Sequence, residues 1–558
     1  MRSDLVKEYC KPVRILEKSE NVTGENALCV NENAQLYGVE RSYMTCRGKG
    51  YILLDFGKEL CGGIRILSVY KDGQPHLLRV RLRFGESVGE ACARLGEKGA
   101  CCDHSVRDMQ VIVPCTSDQE YGNTGFRFVR IDFLDDAEYR LVNVYAAFTH
   151  RDLSYQGSFF CDDDTVNRIY DTARYTLFLN MQQGLWDGIK RDRQVWIGDM
   201  QPEVLGITDV FGADKCVTEA IDASIAKNPL PCWFGNIPTY SFWLLQILCD
   251  YYAKTGDASL FLRHTAYVEG ILAQLDACVT ESGKIEYARA GIAARDGYFL
   301  DWPTLGTPDA AVGNRYLFLY VLQNVKNLYA ALGRKEHPLL RSLSLRLEKE
   351  TAANLRAKQV VALGFLAGRI SAKETAANLT AGGARGMSAF MSYFILQAAA
   401  QSAGTVNALN MMREYYGGML SRGATSFWED FDVEWLHGSG RIDERTPAGK
   451  KDLHGDFGGY CYKGYRHSLC HGWSCGPVPF LTEWVLGVRV AAAGCEKLCI
   501  APHLGDLQYC GGTFPTPRGV VTVRHERHGN EVHTEYTAPN GIEIVLPKDG
   551  FSITENGT

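Results

Sequence analysis

Asp187-Gly-Ile-Lys-Arg191-Asp192-Arg193-Gln-Val-Trp196-Ile-Gly-Asp199 gathers three carboxylates, three cations and one indole within thirteen residues. A core helix would need apolar residues every three or four positions, and a strand would need alternation; the stretch offers neither. Upstream, Val166, Ile169, Tyr170, Ala173 and Leu177 share one helical face, with Asp164 as the expected N-cap. The charged stretch therefore reads as a long loop at the end of a helix. Charged groups that hydrogen-bond hydroxyls, set beside an aromatic face, suit a sugar. Glycoside hydrolysis also needs carboxyl groups on both sides of the scissile bond. The competing reading is a solvated, salt-bridged surface loop.

Two further clusters favour the first reading. Gly423-Ala-Thr-Ser-Phe-Trp428-Glu429-Asp-Phe-Asp432 puts carboxylates beside a tryptophan, and Ser468-Leu-Cys-His471-Gly-Trp473-Ser-Cys-Gly-Pro477 follows. Three loops that each join tryptophan to polar groups, spread over a helical region, are what a cleft at one end of a helical barrel requires.

Composition sets outer limits. The 558 residues exceed one ordinary domain, and 46% hydrophobic residues suffice for a large core. A net charge of −6 lacks the basic excess of a general nucleic-acid binder. No apolar run reaches the length of a membrane span, and the first residues show no secretory signal. Nineteen cysteines without a disulfide-like framework fit reduced thiols in a cytoplasm. Cys101-Cys102-Asp-His104 and His467-x-x-Cys470-His471-x-x-x-Cys475 lack a second ligand pair at zinc spacing, so neither metal nor cofactor is expected.

The period of the pattern changes twice. Residues 1–152 read as a β-sandwich: Leu78-Arg-Val80-Arg-Leu82-Arg-Phe84 alternates, and Tyr51 to Phe56 and Phe126 to Phe133 are further strands. Residues 153–495 are helical, with segments at Phe242 to Thr255, Leu260 to Val279, Arg315 to Leu332, Leu339 to Leu355, Ser388 to Ala403 and Thr405 to Met419. Ten or more helices with long loops suggest paired helices wound as a toroid. Lys349-Glu-Thr-Ala-Ala-Asn-Leu355 recurs as Lys373-Glu-Thr-Ala-Ala-Asn-Leu379, a single echo that does not make a solenoid. Residues 496–558 return to strands, with His528-Gly529-Asn530 as a turn.

On these motifs the chain resembles the bacterial α-L-rhamnosidases of glycoside hydrolase family 78 and their six-hairpin relatives. Asp187, Arg191, Asp192, Arg193, Trp196, Gly198 and Asp199 match the family's Asp-Cys-Pro-x-Arg-Asp-Glu-Arg-x-Gly-Trp-x-Gly-Asp. Gly423 to Glu429 is similar to its Gly-Ala-Thr-Thr-x-Trp-Glu, Ser468 to His471 to its late histidine segment, and Phe514-Pro-Thr-Pro-Arg-Gly519 to its C-terminal signature. The resemblance implies an (α/α)6 toroid barrel flanked by an N-terminal β-sandwich and a small C-terminal β-sandwich. It implies Glu429 as general base.

One departure concerns the acid. The family's acid glutamate follows Arg-Asp, where this chain has Arg193, and one residue is missing before Trp196. Asp192 is the closest replacement; Asp187 and Asp199 are the other candidates, and loss of catalysis is the third outcome. An alkoxide leaving group must be protonated as its bond breaks, so the acid matters. Arg191 and Arg193 are expected to orient Asp187 or Asp199, or to bind hydroxyls. Substrate contacts are expected from Asp187, Arg191, Trp196, Asp199, Trp243, Asp301, Trp302, Trp428, His471 and Trp473, with a core role as the alternative for each tryptophan.

The expected function is an inverting exo-glycosidase taking terminal α-L-rhamnosyl units from small glycosides or oligosaccharides. The alternatives are a six-hairpin glycosidase for another sugar and a catalytically inactive carbohydrate-binding relative. The partner expected is a small carbohydrate, with no nucleic acid and no membrane; homo-oligomerisation, linkage and aglycone stay open.

Overall fold

The computed structural model describes residues 4–32, 42–69, 71–295, 297–350 and 354–546, and the backbone of 551–555. The chain divides into two units, each built from separated segments. Unit 1 is Met1–Asp152, Phe178–Gln194 and Met419–His471; unit 2 is Leu153–Leu177, Val195–Gly418 and Gly472–Thr558.

Unit 1 is organised by a nine-stranded antiparallel network. Its 19-residue strand Gly50–Ser68 pairs with Arg14–Lys18 at its start, with Glu138–Arg151 at its end, and with Ser117–Phe133 along both. Ile52, Leu53 and Leu54 are consecutive and all fully buried. Successive strand residues face opposite sides, so both faces of this strand are covered. In Leu77–Gly85 the expected apolar row of Leu78, Val80, Leu82 and Phe84 is buried. The opposite row is a ladder of ion pairs: Arg79 to Asp135, Arg81 to Asp108 and Arg83 to Asp132.

The late segment of unit 1 is tied to these strands by buried polar contacts. Arg127 holds Asp55 through Nε at 2.8 Å and donates from Nη1 to the Gly423 carbonyl at 3.0 Å. The Glu59 N–H donates to Thr425 Oγ1 at 2.9 Å. The loop leading to Glu429 is thereby fixed from two sides.

Unit 2 contains most of the helices. Those expected at Phe242, Arg315, Ser388 and Thr405 form as Pro238–Thr255, Asp309–Ala331, Ser392–Ala403 and Thr405–Ser421. Leu260 to Val279 breaks at His264 into two helices, Ala258–Arg263 and Thr265–Cys278. The helix expected from Leu339 ends at Leu347, and 351–353, within the first copy of the echo, lie outside the described residues. The second copy lies in Ala372–Leu379, opened by a Ser371–Glu374 capping box. Asp163, not Asp164, caps Asp164–Asn180: its carboxylate accepts from the N–H groups of Thr165 at 2.7 Å and Val166 at 3.1 Å.

Met200–Val210, Pro238–Thr255, Asp309–Ala331, Lys358–Leu366, Ser392–Ala403 and Pro477–Phe480 each pack on the next, and the last packs on the first. The C-terminal strands Tyr509–Thr516, Gly519–His528, Glu531–Thr537 and Phe551–Glu555 build a five-stranded sheet whose edge is Ser158–Cys161, from the start of unit 2. His528, Gly529 and Asn530 turn between the second and third of these. No described helix is long and apolar enough to cross a membrane.

Candidate active site

In unit 1 the loop 187–194 is closed on itself: the Asp187 N–H donates to the Gln194 carbonyl, and Asp187 Oδ1 accepts from the Gln194 N–H, both at 3.1 Å. Gly188 bridges His471 in antiparallel register, bringing the first and third motifs together. Gly125 lies against the loop's back. A Cβ there would stand 2.9 Å from the Lys190 nitrogen, so only glycine allows this approach. The Lys190 carbonyl accepts from Ser105 Oγ at 2.6 Å.

Asp192 and Arg193 both have φ of 55°, the left-handed region that L-residues seldom occupy. That turn sends neighbouring side chains to different places. Arg193 leaves the site: it donates twice to Asn123 at 2.9 Å and lies over the Trp186 ring. Arg191 turns inward, donating from Nη1 to Asp192 Oδ1 at 3.0 Å and from Nη2 to Glu429 Oε1. Its guanidinium covers the Tyr462 ring at 4.7 Å. The sequence reading has these two arginines orienting Asp187 or Asp199, or binding hydroxyls. Instead Arg191 joins the two expected catalytic carboxyls, and Arg193 is anchored on the strand network.

Glu429 is buried. Besides Arg191 it meets His471 Nε2 at 3.4 Å and accepts from the Ser468 N–H at 3.3 Å. Burial would raise its carboxyl, but Arg191, and then His471, outweigh it and hold the group at about 2. The same His471 nitrogen lies 3.8 Å from Asp187 Oδ2, so that oxygen is within about 7 Å of Glu429 Oε1. Asp192 lies within one guanidinium and two hydrogen bonds of Glu429, at most about 8 Å. The Asp192 N–H donates to His104 Nδ1 at 2.9 Å. Trp428 is buried, its ring edge-on to Phe431 at 5.5 Å.

A second buried layer supports the first. The Lys190 ammonium donates to the carbonyls of His467 at 2.6 Å and Tyr465 at 3.0 Å, and pairs with Glu86 at 2.8 Å and Glu90 at 3.2 Å. Glu86 accepts from the Leu469 N–H at 2.6 Å and from Ser468 Oγ at 3.2 Å. Burial pushes the Glu86 carboxyl up to about 7, against the pull of Lys190. Glu86, Glu90 and His454 are close enough together to suggest metal ligands. The Lys190 ammonium supplies the positive charge there, and burial drives His454 down to about 3. Of the sequence's tempting metal clusters, Asp103 pairs with Arg466, and His467 Nε2 accepts from the Asp430 N–H.

The remaining expected residues lie in unit 2. Tyr240 donates to Asp199 Oδ1 at 2.7 Å. Its ring touches Trp196 at 6.3 Å and Phe299 at 6.0 Å, and Phe299 touches Trp302 at 5.2 Å. Half-buried Trp196 and Trp302 thus bracket one aromatic row. Asp301 caps Trp302–Thr304, accepts from Ser388 Oγ, and is pushed up to about 6 by burial. Trp243 is a core residue rather than an open stacking wall. Trp243 is fully buried against Phe390 and Phe394, and the buried Trp473 ring also lies against Phe390, at 5.2 Å. Sequence reading missed Tyr240, Tyr462 and Glu86, which belong to no motif, and weighed His104 only as a metal ligand. Lys190 stood inside the motif and drew no role.

No family model matches the sequence, and no curated protein matches it. Solved structures do match. A glycoside hydrolase family 78 rhamnosidase of Bacillus sp. GL1 matches with a TM-score of 0.75 at 21% identity, over 96% of this chain and 57% of that one. An α-L-rhamnosidase from Dictyoglumus thermophilum matches at 0.72 and 15%, over 98% and 59%. A rhamnosidase from Klebsiella oxytoca with rhamnose bound matches at 0.65 and 18%, over 86% and 96%. The chain has the fold of these rhamnosidases, as its motifs suggested, and spans less than three fifths of the first two.

Proposed function

We propose that this protein is a glycoside hydrolase that removes terminal α-L-rhamnosyl units from small glycosides, with inversion. The observation that carries this is Arg191, whose guanidinium links the half-buried Asp192 to the buried Glu429 beside His471. The cyclic order of six helices in unit 2 supports an (α/α)6 toroid, and the fold likeness to rhamnosidases supports the sugar.

Glu429, ionised at neutral pH, is the base that takes the proton of the attacking water. His471 and Arg191 hold its Oε1, and the Ser468 N–H holds Oε2. Asp192 is the acid for the leaving group. Its Oδ1 is engaged by Arg191, so the proton has to leave from Oδ2. Asp187, beside His471, binds sugar hydroxyls. An inverting site needs its carboxyls about 6.5–9.5 Å apart with a water between, and the upper bounds above are compatible with that spacing.

A second reading has one observation in its favour. Asp192 is tethered by Arg191 and by the bond from its N–H to His104, a poor arrangement for delivering a proton. On this reading the protein binds the sugar without hydrolysing it. The deciding experiment follows an aryl α-L-rhamnoside by NMR. Release of the β-anomer first supports the proposal. Release of the α-anomer removes the inverting mechanism, and binding without turnover favours the second reading.

A further inference from the structure

Unit 2 holds a cavity of about 240 Å³ lined by polar groups from six different elements, Arg489 of Val488–Ala492 among them. Gln201 comes from Met200–Val210, Asp250 and Lys254 from Pro238–Thr255, Tyr320 from Asp309–Ala331, Tyr393 from Ser392–Ala403, and Glu483 from Leu481–Val485. Its two ends differ in distance from the Tyr240–Asp199 pair: Gln201 is two residues past Asp199 on one helix, and Asp250 is farther away. Ten residues separate Tyr240 from Asp250 on one helix, about 15 Å at 1.5 Å per residue.

The lining is organised. Lys254 donates to Glu483 at 2.9 Å and also to Asp209, and the Tyr393 hydroxyl donates to Glu483 at 2.5 Å. Asp250 accepts from Gln201 Nε2 at 3.1 Å and Gln246 Nε2 at 2.8 Å. One acceptor remains: Gln201 is 1% exposed, and its Oε1 has no partner among the described residues. A buried acceptor left unmet costs about 1–3 kcal/mol, and such groups are normally satisfied.

Charge and shape narrow what could satisfy it. Lys254 and Arg489, which also lines the cavity, face the carboxyls of Asp209, Asp250 and Glu483. Burial pushes Asp209 and Asp250 up to about 7, so the group is close to neutral and a charged guest would upset that balance. Interleaved donors and acceptors with two tyrosines match a molecule carrying several hydroxyls on a carbon frame. By volume the space equals about eight waters, enough for one six-carbon sugar or cyclitol.

We infer that this cavity is a second binding site, for a neutral monosaccharide or polyol whose hydroxyl donates to Gln201 Oε1. Burial raises Asp250 to about 7, so that near neutral pH it can also serve as a donor to such a guest.

The test uses the full chain with L-rhamnose, D-glucose and myo-inositol. Crystals are soaked with each, and binding is measured by calorimetry. One of the three is expected in the cavity with a hydroxyl on Gln201. Its affinity should fall roughly tenfold in Gln201→Leu and vanish in Ala253→Phe, which plugs the half-exposed mouth. Circular dichroism verifies that both variants fold. Solvent alone in the cavity after all three soaks overturns the inference, as does binding that both folded variants leave unchanged.

Discussion

Lys190 and His467 are joined by a 2.6 Å hydrogen bond from ammonium to backbone carbonyl, tying the charged loop to the segment that presents His471. The same ammonium balances Glu86 and Glu90, all three groups being buried. Replacing Lys190 by Met should leave two uncompensated carboxyls and destabilise the protein by about 3–5 kcal/mol. Denaturant unfolding measures this, and a loss below about 1 kcal/mol contradicts it.

Glu429→Gln should lower turnover on an aryl α-L-rhamnoside by about 10²–10⁴-fold, the range for removing a general base. Sugar binding should survive, because the amide keeps the size of the carboxylate. An active Gln variant would show that the base lies elsewhere.

Arg191→Met should change the pH profile. Glu429 sits at about 2 instead of its ordinary 4.5 because Arg191 and His471 outweigh burial. Without Arg191 the burial effect gains, so the acid limb of kcat/KM should move to higher pH. Stability follows the same sign. In the native protein the lowered carboxyl stabilises above pH 4.5, and this is lost as pH falls toward 2. In Arg191→Met the loss should begin at higher pH. An acid limb that stays in place would separate Arg191 from Glu429.

Asp192→Asn should cost less than about tenfold on an aryl glycoside and about 10²-fold or more on an alkyl glycoside. A phenolate departs with little protonic help, whereas an alkoxide does not. Equal losses on the two substrates would make Asp192 an orienting group.

Trp243→Ala should cost about 3–5 kcal/mol of stability, as for a large aromatic removed from a packed core. Unfolding by heat or denaturant measures it. A stable variant with a raised KM would instead return Trp243 to the sugar site.

Much was legible where the signal is local. The alternation from Leu78 to Phe84 and the helical period from Phe242 to Thr255 each need only a few neighbouring residues to define a face, and each formed as its pattern indicates. The charged, tryptophan-bearing loops were legible too, since their residues fit neither the helical nor the strand period. Helix ends were less so. Asp163 and Asp164 are both fit to cap, and only backbone geometry distinguishes them.

Sequence by itself determined the period in which each segment folds and where the charged loops lie, because both depend on side chains a few positions apart. Tertiary structure decided the partners. It set Ser158–Cys161 beside Tyr509–Thr516 and returned Met419–His471 to the N-terminal strands. It aimed Arg191 at Asp192 and Glu429 while sending Arg193 to Asn123. It also placed Trp243 in the core. Closing a loop of hundreds of residues costs little more than closing one of tens, so chain distance barely restricts pairing. The choice among many such pairings is made by complementary packing and by the need of every buried charge for a partner.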